Sequence, residues 1–162
     1  MELPKRKPTR LKAFDYSTPG AYFVTICTNG KKQILSRIAV GDDAHIVPKN
    51  RLSQYGFICD KYIKNMNSKY EDVTVDKYVI MPNHIHLIVC IDGTMRASSP
   101  TSIVDVIRSF KVLVTKEIGV SIWQRSYHDH IIRGKTDYNK IWEYIDTNVA
   151  KWELDCFYDS EN

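Results

Sequence analysis

Apolar and polar positions along the chain fall into short stretches of two periods. AYFVTICT (21–28) alternates strictly, with Tyr22, Val24 and Ile26 on one side and Phe23, Thr25 and Cys27 on the other, which predicts a half-buried strand. Asn29-Gly30 follows as a turn signal. A weaker ribbon is expected over 33–47, broken near Gly41-Asp42-Asp43. Leu52, Tyr55, Cys59, Tyr62, Ile63 and Met66 recur at helical spacing and predict a helix over 51–67. VTVDKYVI (73–80) and HIHLIVCI (84–91) read as strands of a hairpin, joined at Met81-Pro82-Asn83. ASSPTS (97–102) is a polar loop. Ile103, Val106, Ile107, Phe110 and Leu113 form the stripe of a helix over 101–117, and a strand is expected within 122–133. A last helix is expected from 136 to 152, with Thr136 as N-cap and Ile141, Ile145, Val149 and Trp152 on its buried side.

The order strand, helix, strand, strand, helix, strand, helix implies an α+β fold. It fits a ferredoxin-like (RRM-like) antiparallel sheet with helices packed on one face, plus a C-terminal helix. A length of 162 residues suits one domain, 1–162, with a real core.

Within this pattern MPNHIHLIV (81–89) carries candidate chemistry. In a strand His84 and His86 project from the same face, with Cβ atoms roughly 6–7 Å apart. Ile85, Leu87, Val89 and Ile91 then anchor the opposite face. Two imidazoles so placed can converge on one ion, or they can be core residues with polar partners; the spacing leaves both readings open. A histidine triad would need a third His at 88, where Ile88 stands, and no HxT or HxS partner motif of the two-histidine phosphodiesterases is present. On the last helix Tyr144 and Asn148 lie four residues apart on one stripe. A tyrosine hydroxyl is a covalent nucleophile once activated, and an amide oxygen can complete a metal's ligand set.

Charge adds a partner class. The formal net charge is +4, and Lys5, Arg6, Lys7, Arg10 and Lys12 face one acid, Glu2, in a basic arm over about 1–12. Arg108, Lys111, Lys116, Arg125 and Arg133 are further candidates for phosphate contacts, and Trp123 and Tyr127 for base stacking. Tyr127 is also the rival nucleophile, and His128 and His130 a less favoured second ligand pair. Cys27, Cys59, Cys90 and Cys156 contain no CxxC spacing, which excludes the usual zinc and redox motifs and fits reduced thiols. No run approaches the roughly eighteen apolar residues of a membrane span, and no secretory signal is visible, so a cytoplasmic location is expected.

Several of these stretches together resemble one family. MPNHIHLIV is similar to the His–hydrophobic–His (HUH) motif of single-tyrosine transposases, and YIDTN (144–148) to their nucleophile helix. FDYSTPGAYFVTICTNGKK (14–32), SFKVLVTK (109–116), WQRSYHDHIIR (123–133) and YIDTNVAKWELD (144–155) resemble blocks of the REP-associated branch, in the same order. The chain departs from that branch in having Val149 where a proline usually follows the helix Asn, so the helix is expected to run on. The resemblance implies a metal-dependent transposase that cleaves and rejoins single-stranded DNA carrying hairpin or palindromic elements. Tyr144 would attack the phosphodiester to give a 5′-phosphotyrosine. His84, His86 and Asn148 would hold Mg²⁺ or Mn²⁺, with imidazole favouring Mn²⁺. The branch includes monomers and its wider family dimers. A DNA-binding protein that no longer cuts, and a phosphodiesterase using water, are the alternatives.

Overall fold

The computed structural model describes residues 10–39, 47–94 and 101–158. Lys5, Arg6, Lys7, the Gly41-Asp42-Asp43 break and most of the 97–102 loop lie outside the described residues.

Among the described residues, six strands and three α-helices follow in the order β1 (Gly20–Cys27), β2 (Ser36–Ala39), β3 (Lys49–Leu52), α1 (Gln54–Lys69), β4 (Val73–Ile80), β5 (His84–Ile91), α2 (Ile103–Ile118), β6 (His128–Ile131) and α3 (Gly134–Thr147). Four strands form an antiparallel sheet in the order β4-β5-β1-β6, while β2 and β3 pair as a separate ribbon. This is the α+β, ferredoxin-like arrangement that the pattern predicts.

The period-two pattern sorts each strand between two environments. Val24, Ile26, Ile85, Leu87 and Val89 enter a core with Ile63, Ile107 and Phe110 of α1 and α2. His84, His86, Phe23 and Thr25 turn to the opposite face, against which α3 docks. Docking combines apolar and polar contacts: Ile145 is buried, Tyr138 donates to Asp76 at 2.7 Å, and the Lys77 ammonium lies over the Trp142 ring. The sheet thus divides a helix-covered core from a face that carries chemistry.

Element boundaries follow local capping. Ser53 caps α1 by accepting from Gly56 N, so the helix starts at Gln54 and leaves 51 and 52 to β3. Ser102 caps α2 in the same way through Val104 N. Three expectations need correction. First, α3 opens at Gly134, φ +83°, and its N-cap is Arg133, not Thr136; Asp137 accepts from Arg133 N and ties that first turn. Second, α3 stops at Thr147, and Trp152–Leu154 form a separate 3₁₀ turn, so a non-proline at 149 does not extend the helix. Third, the strand expected over 122–133 shrinks to His128–Ile131, with a lone bridge from Trp123 to Thr28.

Candidate active site

The site begins with β5. Met81-Pro82-Asn83 turns the chain, Thr28 N and Oγ1 both donate to Asn83 O, and His84 enters the sheet opposite Cys27. Both histidines are essentially unexposed, and each has a partner for its Nδ1. The Asn83 amide donates to the carbonyls of Phe157 and Lys31, so its oxygen faces His84 Nδ1, at 2.8 Å. That contact places the His84 proton on Nδ1 and leaves Nε2 as a lone pair. Thr25 Oγ1, the cross-strand neighbour, holds His86 Nδ1 at 2.8 Å. Phe23 stacks on the His86 ring.

The two Nε2 atoms converge to 3.0 Å. Two nitrogens about 2.1 Å from one ion at a right angle stand about 3.0 Å apart, so the pair fits a shared cation. Burial pushes both imidazoles down to about 3, which keeps them neutral, the form that ligates.

Helix α3 supplies the other half. The Tyr144 hydroxyl lies 3.3 Å from His86 Nε2, and its ring packs edge-on against Phe23. One turn on, Asn148 is 2% exposed; its amide nitrogen donates to Asp155 at 2.7 Å, and its Oδ1 is buried without a hydrogen-bond partner. An orphaned buried oxygen beside two lone pairs is what a cation site requires. One chain thus brings His84, His86, Tyr144 and Asn148 together.

Asp155 was not among the sequence candidates. Its Oδ2 lies 3.9 Å from His84 Nε2 and accepts from Tyr144 OH at 3.3 Å. Among the described residues, His84, His86 and Asp155 form the one His/Cys/Asp/Glu cluster with metal-binding spacing. Burial first, and the Asp155 charge next, push the Tyr144 phenol above its ordinary value. Trp152 and Phe157 pack over the His84 ring, at 5.9 and 4.6 Å between centroids.

The rival residues lie elsewhere. Tyr127 joins the core on the α1–α2 side, beneath the Arg10 guanidinium. Trp123 is 7% exposed and packs on Phe110, so its ring is core rather than a free stacking surface. His130 is bound by Asp137 at 2.8 Å. The described basic candidates do gather. Arg108, Lys111 and Arg125 line one cleft, Lys111, Lys116 and Arg125 the next, and Lys12 and Arg133 a third; Arg10 lines the first and third. Lys111 is partly committed, since it donates to the carbonyls of Gln124 and Ser126.

The fold is similar to that of a solved transposase. A REP-associated tyrosine transposase, solved bound to a REP hairpin, superposes with a TM-score of 0.62 at 20% identity, over 94% of this chain and 74% of that one. By sequence, the chain belongs to one family with a Haemophilus influenzae protein described as uncharacterized, to which it is 31% identical over 94% of its own length and 93% of the relative's. No protein-family profile matches. Among the described residues no helix is long and apolar enough to cross a membrane.

Proposed function

We propose that the chain is a metal-dependent DNA transposase or nicking–joining enzyme that works through a 5′-phosphotyrosine. The observation that carries this reading is the Tyr144 hydroxyl set 3.3 Å from an imidazole that shares its lone-pair direction with a second. Tyr144 attacks a phosphodiester of single-stranded DNA: a Tyr–O–P bond forms, the P–O3′ bond breaks, the phenol gives up its proton, and a free 3′-hydroxyl leaves. His84, His86 and Asn148 would hold Mg²⁺ or Mn²⁺, which would supply positive charge to stabilise the phenolate and the phosphate oxygens. The helix fixes the nucleophile over the site, and the hydrogen bonds of Asn83 and Thr25 fix the imidazoles. Because the covalent link keeps the phosphoester energy, attack by a second 3′-hydroxyl rejoins strands without ATP. A hairpin-bearing substrate is proposed from the likeness to the REP-bound transposase, and the linked basic clefts fit a phosphate backbone. All four residues meet within one chain, so a single chain can supply the whole set.

A second reading, a hairpin-binding protein that does not cut, is favoured by the burial of His84 and His86 under Trp152 and Phe157. One experiment separates them: incubation with a hairpin-bearing single strand and Mn²⁺, followed by denaturing electrophoresis. The proposal expects a denaturant-stable protein–DNA adduct that Tyr144→Phe abolishes. Binding without adduct selects the second reading, and cutting that survives Tyr144→Phe overturns the tyrosine mechanism.

A further inference from the structure

The chain beyond α3 folds back and inserts a carboxylate among the donors of the site. We infer that Asp155 is a fourth protein donor to the cation, completing a set of two imidazoles, one amide oxygen and one carboxylate. This inference rests on the cation-binding reading above.

Three observations support it. First, the Asp155 side chain is completely buried, and among the described residues its one ion-pair neighbour is the imidazole of His84, 3.9 Å away. A buried carboxylate without a cation is costly, and a divalent ion at this position supplies the missing charge. Second, the geometry fits. One ligand atom each of His84, His86 and Asp155 lies within 4.8 Å of the others, with 3.9 Å from Asp155 Oδ2 to His84 Nε2 and 3.0 Å between the two Nε2 atoms. Donors about 2.1 Å from one ion stand about 3.0 Å apart when adjacent and about 4.2 Å when opposite. Third, the carboxylate directs the amide. Asn148 Nδ2 is committed to Asp155 Oδ2, which turns the partnerless Oδ1 toward the remaining space. The other carboxylate oxygen accepts from Phe157 N at 2.8 Å, which holds the segment in place.

The chemical consequence is selectivity. Two histidines and an amide leave the full double charge of the ion uncompensated and favour imidazole-seeking metals. An added carboxylate shifts the preference toward hard ions such as Mg²⁺ and Mn²⁺.

The test is calorimetric titration of the full chain with MnCl₂ and, separately, NiCl₂, for wild type, His84→Ala, Asp155→Asn and Asp155→Glu. Melting without metal verifies that each variant is folded. His84→Ala should lose both metals. Asp155→Asn should bind Mn²⁺ at least tenfold more weakly while losing much less affinity for Ni²⁺, and Asp155→Glu should keep the preference for Mn²⁺. Should Asp155→Asn not fold, the comparison of Asp155→Glu with wild type decides, and loss of the Mn²⁺ preference in that variant counts against the assignment. Wild-type Mn²⁺ affinity in Asp155→Asn overturns the inference and leaves the cation site standing. Equal losses for both metals show that Asp155 only positions Asn148 and also overturn it. A wild type that binds neither metal overturns the cation reading itself.

Discussion

At the scale of single residues, the site depends on neighbours that hold its donors still. A histidine ligand works in one tautomer and orientation, and the group on its other nitrogen sets both. For His86 that group is Thr25, paired across the strands and 4% exposed. Thr25→Val keeps the shape and removes the oxygen, leaving Nδ1 buried and unpaired. The expected result is a loss of about 1–3 kcal/mol in stability, read from urea unfolding, with Mn²⁺ affinity reduced about tenfold or more. Unchanged metal binding in a folded variant would show that the hydroxyl does not orient the ring. Alternation in the sequence separated Thr25 from Val24 and Ile26, but only the strand register shows that its side is the histidine face and brings it to His86. Asp155 left no comparable signal: it lies past the helix in no periodic element, and only the return of the chain brings it to His84.

At the scale of elements, the strands and helices were legible because alternation and helical stripes coincide with burial. β4 and β5 have the boundaries read from the sequence, and the hairpin between them pairs as expected. What escaped was set by backbone conformation and long-range contact. Gly134 opens α3 with a left-handed φ, which no apolar period announces. Trp123 is drawn to the core by its bridge to Thr28 rather than by an extended strand. Gly56 shows how tightly one helix is seated. A Cβ there would lie 2.1 Å from the Leu35 carbonyl oxygen and 3.2 Å from the Leu52 Cβ. That carbonyl also accepts from Ser53 N and Ser53 Oγ, so it is anchored. In an open helix, Gly→Ala gains up to about 1 kcal/mol. Here the steric clash wins, and Gly56→Ala should lose about 1–3 kcal/mol, measured as a lower urea midpoint with unchanged slope. A rise in the midpoint would mean that α1 shifts away from Leu35 without penalty.

At the scale of the whole molecule, the sheet keeps two tasks apart. One face is sealed by α1 and α2 into a core, and the other carries the histidines and receives α3. Basic residues from separate stretches of the sequence surround this body, and Arg10 joins two of their clefts, one with Arg108 and Arg125, the other with Arg133. Such a track should set how strongly a nucleic acid is held, while the buried centre sets what happens to it. The two functions should therefore separate by mutation. Each phosphate neutralised by a side chain adds about 0.7–0.9 to the slope of log affinity against log salt. Arg10→Glu with Arg125→Glu should weaken binding of a hairpin strand by at least tenfold at moderate salt and flatten that slope by about 1–2, measured by fluorescence anisotropy across a salt series. Mn²⁺ affinity in the same double variant should stay as in wild type, because neither side chain reaches the His84–His86 pair. A salt slope that stays unchanged would place the phosphate backbone on another surface, and a fall in Mn²⁺ affinity would mean that the clefts and the buried centre are coupled through β6 or α3.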